Sequence, residues 1–223
     1  MRKRSLSFSD TVRFPLRLTD MFIRTDNTNG ESTNELPDVK SEEYPLRIVA
    51  AGRLDEQKNF SMLIDAFSLA KKELKNNITL TIYGEGHLRD SLYKTIADYG
   101  LQNDIFLAGS VQNLLDRING ASLFVLSSDF EGFPNVLLEA MAMGLPVIST
   151  DFSTGVAEEL IKDENGIIVP VNDKDAMSRA IVRIMNDSLM RSKMRVNNVY
   201  VRDKYNADVI IDQWIKLMME VVE

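Results

Sequence analysis

The chain has 223 residues, 44% hydrophobic and 26% charged, the profile of a globular protein with a core large enough for one or two domains. With no cysteine and a single histidine, disulfide frameworks, thiolate metal sites and the common zinc arrangements are excluded. A net charge of −7 argues against a nucleic-acid binder, which needs a dominant positive surface, and no apolar run approaches the roughly 18 residues of a membrane span.

Taken in chain order, the first 24 residues hold six basic side chains (Arg2, Lys3, Arg4, Arg13, Arg17, Arg24) against Asp10 and Asp20, with no apolar stretch of the kind a signal peptide carries. A polar, turn-rich run, "TDNTNGESTNELPDVKSEEYP", reads as a linker. From Leu46 the pattern changes. "LRIVAA", "ITLTIY", "DIFLAG", "ASLFVLS", "PVIST" and "GIIVP" are six strand candidates, and their apolar continuity suits buried parallel strands. Between them run amphipathic segments: "NFSMLIDAFSLAKKEL", with Asn59 as the helix N-cap, then "LRDSLYKTIADYG", "NVLLEAMAMG" and "DAMSRAIVRIM". This alternation predicts an α/β fold, a single Rossmann-like doubly wound parallel sheet of about six strands. A last amphipathic helix, "ADVIIDQWIKLMMEVVE", gathers Ile210, Ile211, Trp214, Leu217 and Met218 on one face that needs a partner surface. The expected organisation is a remnant and linker over 1–45, the Rossmann-like domain over 46–206 and a C-terminal helix over 207–223.

Ligands of such sheets bind outside the carboxyl ends of the strands, so the loops after the strands carry the chemistry. After the first comes "AGRLDEQKN". Lys58 precedes a capped helix, where the macrodipole disfavours a cation unless an anion is shared, and a phosphate would resolve the conflict; Arg53 could add a bidentate contact. Solvated loop cations are the alternative. Gly52 and Lys58 have the spacing of a P-loop, but Gln57 and Asn59 stand where its second glycine and its hydroxyl belong. In "YGEGHLRD", Gly84 and Gly86 open a dinucleotide fingerprint whose third glycine is replaced by Arg89. His87 reads as a surface residue at the start of the next helix. In "NDKDA", Asp173 or Asp175 reads as a helix cap rather than a metal ligand, and the roles of Gly155 and Glu159 stay open.

The fourth strand candidate leads into "SSDFEGFPN". Gly132 is expected to permit an unusual turn and Pro134 to open a helix, with the amides around Phe133 to Val136 facing the cleft as an anion site. Glu131 precedes that turn. Between Val136 and Ile148 the only ionisable side chain is Glu139, on an otherwise apolar helix and on the same face as Asn135. A buried carboxylate needs partners, either a core salt bridge or ligand hydroxyls.

"GRLDEQKNF", "IYGEGHLRDSL", "LAGSVQN", "FVLSSDFEGFPNVLLEAMAMGLPVIST" and "EELIKDENGIIVP" resemble, in order and spacing, the carboxyl-terminal, donor-binding half of the group-one retaining glycosyltransferases of GT-B architecture, from about Leu46 to about Pro170. The most specific element is the E-x7-E pair, Glu131 and Glu139. The resemblance implies a nucleotide-sugar-binding domain. Arg53 and Lys58 would bind the diphosphate, and Glu131 would lie beside the donor sugar as the third catalytic residue. Glu139 would hold the ribose hydroxyls. Backbone at Gly132, Phe133, Pro134 and Asn135 would meet phosphate and sugar oxygens, Gly52 would be a further donor-binding residue, and Gly84 and the backbone near Val111 would border the base. It further implies a hexosyl transfer without metal or other cofactor, the nucleotide sugar being the donor substrate. The products would be polysaccharide or glycolipid, made in the cytoplasm or at the inner face of the membrane. In the family a preceding domain supplies the acceptor site, so transfer to a saccharide or lipid-linked acceptor is expected to need that domain or a partner chain. His87 stands where the family often has proline. Two other readings of the residues are a noncatalytic nucleotide-binding module paired with a separate chain and, resting on Gly84 and Gly86 alone, an NAD-binding oxidoreductase domain.

Overall fold

In a computed structural model, the structure describes residues 45–222 apart from Asn76 and Asp163. The described residues fall into two units, divided after Arg202. The N-terminal remnant and linker therefore lie outside the described residues, except for Pro45.

The larger unit is a six-stranded sheet in the order β3-β2-β1-β4-β5-β6, with every neighbouring pair parallel. Its strands are β1 (Leu46–Ala51), β2 (Ile78–Tyr83), β3 (Ile105–Gly109), β4 (Leu123–Leu126), β5 (Val147–Thr150) and β6 (Gly166–Val169). The helices of this unit are α1 (Phe60–Glu73), α2 (Arg89–Asp98), α3 (Leu114–Ile118), α4 (Asn135–Ala142), α5 (Val156–Leu160), α6 (Lys174–Asn186) and α7 (Ser188–Asn198). α8 (Val201–Lys204) straddles the boundary of the two units, and α9 (Ala207–Val222) belongs to the second. The order reverses between β1 and β4, and that switch point opens a crevice for a ligand.

One face of the sheet is covered by α1, α2 and α6: Ile48, Leu80, Ile82, Val125 and Ile148 pack there with Leu63, Phe67, Ile96 and Ile181 in a continuous core. Each such fully buried side chain contributes roughly 1.5–3 kcal/mol. β1, β4 and β5 are buried almost throughout, as continuous apolar runs predict. β2 and β3 differ. In "ITLTIY" the threonines alternate with buried isoleucine and leucine, and in β3 Phe106 is exposed, so these strands bury only one face.

Four helices were not predicted. α3 and α5 are only five residues long and α8 four, too short for a 3.6-residue repeat to register, and α7 buries only Met194 and Asn198 of a mostly polar sequence. Asn198 is fully buried. Its Nδ2 donates to Leu145 O (2.6 Å) and Asn165 O (2.8 Å), tying α7 to the turns that precede β5 and β6. In the second unit, Ile211, Trp214, Ile215 and Met218 of α9 recur at helical spacing and are exposed. Among the described residues no helix is long and apolar enough to cross a membrane.

Candidate functional site

The loop after β1 is locked against the loop after β2. Gly52 N donates to Tyr83 O (3.0 Å), Leu54 N to Glu85 O (3.0 Å) and Gly84 N to Gly109 O (2.8 Å). A Cβ at Gly84, whose φ is +144°, would sit 1.8 Å from Gly52 O, and one at Gly86 would sit 2.3 Å from Leu54 O. Both glycines are thus required by backbone packed on backbone. That removes the ground for reading them as a dinucleotide fingerprint.

From the buried Leu54 the chain enters a single 3-10 turn, Glu56–Lys58, capped by Asp55, whose Oδ1 accepts from Lys58 N (3.3 Å). Asn59 then takes a left-handed conformation (φ 44°) and caps α1, its Oδ1 accepting from Met62 N (3.2 Å). Its Nδ2 donates to Asp129 Oδ1 (2.7 Å) and Asn172 Oδ1 (2.5 Å), joining the loops after β1, β4 and β6.

This geometry delivers Lys58 to Glu131. Lys58 Nζ lies 2.5 Å from Glu131 Oε1, and Ser128 Oγ donates to the same oxygen (2.7 Å). Gln57 Nε2 reaches Glu131 Oε2 (3.5 Å) and Phe130 O (3.0 Å), while Ser127 Oγ holds Lys58 O (2.7 Å). The expected conflict between Lys58 and the start of α1 is therefore met inside the protein, by the carboxylate of Glu131. The two side chains are 15% and 8% exposed. Removing one partner of a pair this far from water would leave an uncompensated charge at a cost of about 3–5 kcal/mol. Arg53 contrasts with Lys58. It is 74% exposed, paired with Asp55 Oδ2 (3.2 Å) and hydrogen-bonded to Gln57 Oε1 (3.3 Å), an arrangement worth about 0–1 kcal/mol and easily surrendered to a ligand.

The second wall is the "EGFPN" loop and α4. Leu137, Leu138, Ala140, Met141 and Ala142 are buried, whereas Glu139 is only half-buried and Asn135 is exposed. The carboxylate expected to be buried at Glu139 thus sits on the open edge of its helix, and Glu131 is the buried member of the pair. Pro134 is the N-cap of α4, not its first residue. The amide of Asn135 donates to Phe133 O (3.0 Å) and those of Leu137 and Leu138 to Pro134 O, which turns Asn135 N onto the loop instead of toward a ligand. Gly132 is not among the residues of positive φ, and a Cβ there would meet nothing within 4 Å, so the predicted unusual turn is absent.

These walls enclose a cleft of about 550 Å³ at the β1/β4 switch point. Gly52, Arg53, Lys58, Gly84, Val111, Glu131, Phe133, Pro134, Asn135 and Glu139 all line it; Gly132 alone of the predicted set does not. Tyr83, Glu85, Ser110 and Leu114 also line it, and Gln57, Ser127 and Ser128 brace it from behind. None of these carries a pattern visible in sequence, since a serine three residues from a glutamate has no distinguishing period.

His87 is exposed, two residues before α2, and its Nε2 lies 3.0 Å from Glu56 Oε1; that hydrogen bond holds the Glu56 carboxyl below its ordinary value. Asp173 caps α6 through Ala176 N (2.8 Å), as predicted. Among the described residues no group of three or more His, Cys, Asp or Glu could hold a metal ion. Gly155, left-handed at φ 74°, is the N-cap residue of α5, and neither it nor Glu159 lines the cleft.

A doubly wound parallel sheet with a charged cleft at its switch point defines a Rossmann-like domain, here with cations from one half of the sheet facing carboxylates from the other. The chain belongs to the family of group 1 glycosyl transferases, whose model matches residues 32–199. It is 35% identical over 176 residues to an exopolysaccharide phosphotransferase, SCO2592, of Streptomyces coelicolor, covering 78% of this chain and 19% of that protein. It is 30% identical over 185 residues to a poly(glycerol-phosphate) alpha-glucosyltransferase of Bacillus subtilis, covering 83% of this chain and 27% of that protein. In structure it is similar to the pneumococcal O-GlcNAc transferase GtfA solved with UDP and GlcNAc, with a TM-score of 0.71 and 28% identity over 80% of this chain and 36% of that one. The chain therefore spans between about a fifth and a third of the length of the relatives named here.

Proposed function

We propose that this chain is the donor-binding, carboxyl-terminal half of a retaining, metal-independent glycosyltransferase that takes a hexosyl group from a nucleoside diphosphate sugar for polysaccharide or glycolipid synthesis in the cytoplasm or at the inner face of the membrane. The observation that carries the reading is the meeting of Arg53, Lys58, Glu131 and Glu139 in one cleft at the sheet's switch point. In this reading Glu139, half-buried on the cleft side of an apolar helix, accepts the vicinal hydroxyls of the ribose. Arg53 and Lys58 meet the diphosphate. The Lys58 ammonium has three donors, so one stays with Glu131 while others turn to phosphate oxygens. As the glycosidic bond breaks, the leaving diphosphate gains negative charge, and each cation aimed at it contributes on the order of 100-fold in rate. Glu131 borders the donor sugar, held by Ser128 and Gln57. In this reading transfer to a saccharide or lipid-linked acceptor needs an acceptor-binding domain or partner chain, and the residues of this cleft supply donor binding alone.

Calorimetric titration of the folded chain with a panel of nucleoside diphosphates and their sugars tests the proposal. At least one member is expected to bind, and Glu139→Ala should weaken it by roughly tenfold or more, the worth of a charge-assisted hydrogen-bond pair. No binding by any member, or full affinity in the alanine variant, overturns it.

A further inference from the structure

We propose that Gly52 is a positioning residue for Lys58: its missing side chain is the slot in which the lysine stem lies, and this slot, rather than any contact of Gly52 with a ligand, is why β1 must be followed by glycine. A Cβ built at Gly52 would stand 3.0 Å from Lys58 Cγ, 3.0 Å from Cδ and 2.9 Å from Cε. Three consecutive stem carbons thus lie flat across the glycine. Nothing in the backbone calls for glycine here, because Gly52 is not among the residues of positive φ.

The surroundings decide what gives way if a methyl is added. Gly52 cannot retreat. Its amide is bonded to Tyr83 O (3.0 Å), and its carbonyl oxygen lies close against Gly84, where a Cβ would be 1.8 Å away, so the end of β2 holds it in place. The Lys58 backbone is equally held, its amide by Asp55 Oδ1 (3.3 Å) and its carbonyl by Ser127 Oγ (2.7 Å). Only the stem is free to yield. Going from 2.9 Å to an ordinary contact of 3.4 Å means a shift of at least 0.5 Å (3.4 − 2.9), shared by all three carbons. Rotating the tip alone cannot achieve it. The ammonium is then drawn off Glu131 Oε1, from 2.5 Å to about 3.0 Å (2.5 + 0.5), which loosens the pair without breaking it while Ser128 and Gln57 stay on the carboxylate. Gly84 and Gly86 are the useful contrast: their neighbours are backbone atoms, so alanine there strains the fold, whereas at Gly52 it displaces a side chain at little cost in stability.

The first measurement needs no ligand. Lys58, 15% exposed and bound to a carboxylate, should be acetylated slowly by acetic anhydride in the native chain, as read by peptide mass spectrometry. In Gly52→Ala its rate should rise at least fivefold while the other lysines and the melting temperature stay unchanged. An unchanged Lys58 rate in a folded variant overturns the proposal, and so does a variant that fails to fold, since the backbone rather than the stem would then have yielded. The second measurement rests on the donor-binding reading above and uses UDP as probe. Gly52→Ala should weaken UDP by about tenfold, and in a Lys58→Ala background it should cost nothing further, because the slot acts only through the lysine. Equal losses in both backgrounds would assign Gly52 a direct role and overturn the proposal. If the native chain binds neither UDP nor any other nucleotide, the donor reading falls while the acetylation result still decides the role of Gly52.

Discussion

Asn59 concentrates three separable energies in one residue, and substituting it by alanine and by glycine separates them. Both variants lose the bonds from Nδ2 to Asp129 and Asn172, worth together about 2 kcal/mol. Alanine also loses the cap to Met62 N, about 1 kcal/mol, whereas glycine at a cap costs only a few tenths. Alanine must further hold the left-handed backbone at φ 44°, at about 1 kcal/mol, which glycine does freely. The expected losses are about 4 kcal/mol for Asn59→Ala and about 2 kcal/mol for Asn59→Gly. With a urea slope of about 2 kcal/mol per molar, the two midpoints should differ by about 1 M. Urea unfolding followed by far-ultraviolet circular dichroism measures both midpoints. Equal midpoints, or a glycine variant less stable than the alanine one, would show that the left-handed turn is not strained and that Asn59 matters for its side-chain bonds alone.

Gly84→Ala should lower stability by about 3 kcal/mol or prevent folding, because the added carbon meets Gly52 O, whereas Gly132→Ala should stay within about 0.5 kcal/mol of the native chain in the same urea experiment. Asn198→Ala strands the carbonyls of Leu145 and Asn165 away from water and should cost about 2–3 kcal/mol, measured by thermal unfolding. Tyr99 donates to Asp65 Oδ1 (2.8 Å), and that hydrogen bond raises its pKa above the ordinary 10.0. Its contribution to stability should be complete below pH 10 and fade as the pH rises through the shifted value. Phenolate absorbance should show Tyr99 titrating at lower pH in Asp65→Asn than in the native chain.

The sheet was legible because β1, β4 and β5 are largely buried and read as mostly apolar runs, interrupted by Arg47 in β1 and by Ser149 and Thr150 in β5, and because β1 and β4 lead into helices that open at a cap or turn residue, Asn59 and Pro134. Most of the cleft lining was legible too, Lys58 from its place before a capped helix and Glu139 as a lone carboxylate on an apolar helix, the rest through the family resemblance. What escaped was whatever depends on two distant loops meeting. Glu131 as the partner of Lys58 joins positions 73 residues apart, and neither residue announces the other. The roles of Gly52, Gly84 and Gly86 likewise follow from neighbours that only the folded loops bring together, while Gly132, which looked like a special turn, has ordinary geometry. The degree of burial at Glu139 was misjudged because an apolar sequence around a helix does not reveal which edge borders a cleft.

The strand order also dictates how the protein is made. As the chain is synthesised, β1, β2 and β3 can pair in sequence, but the opposite side of β1 is satisfied only by β4. At about 5–20 residues per second, the stretch from Gly109 to Leu123 occupies about one to three seconds, during which a strand as greasy as "LRIVAA" presents unpaired amides and carbonyls to the cell. Translation speed across that interval, and the chaperones that shield it, should therefore govern the yield of native material.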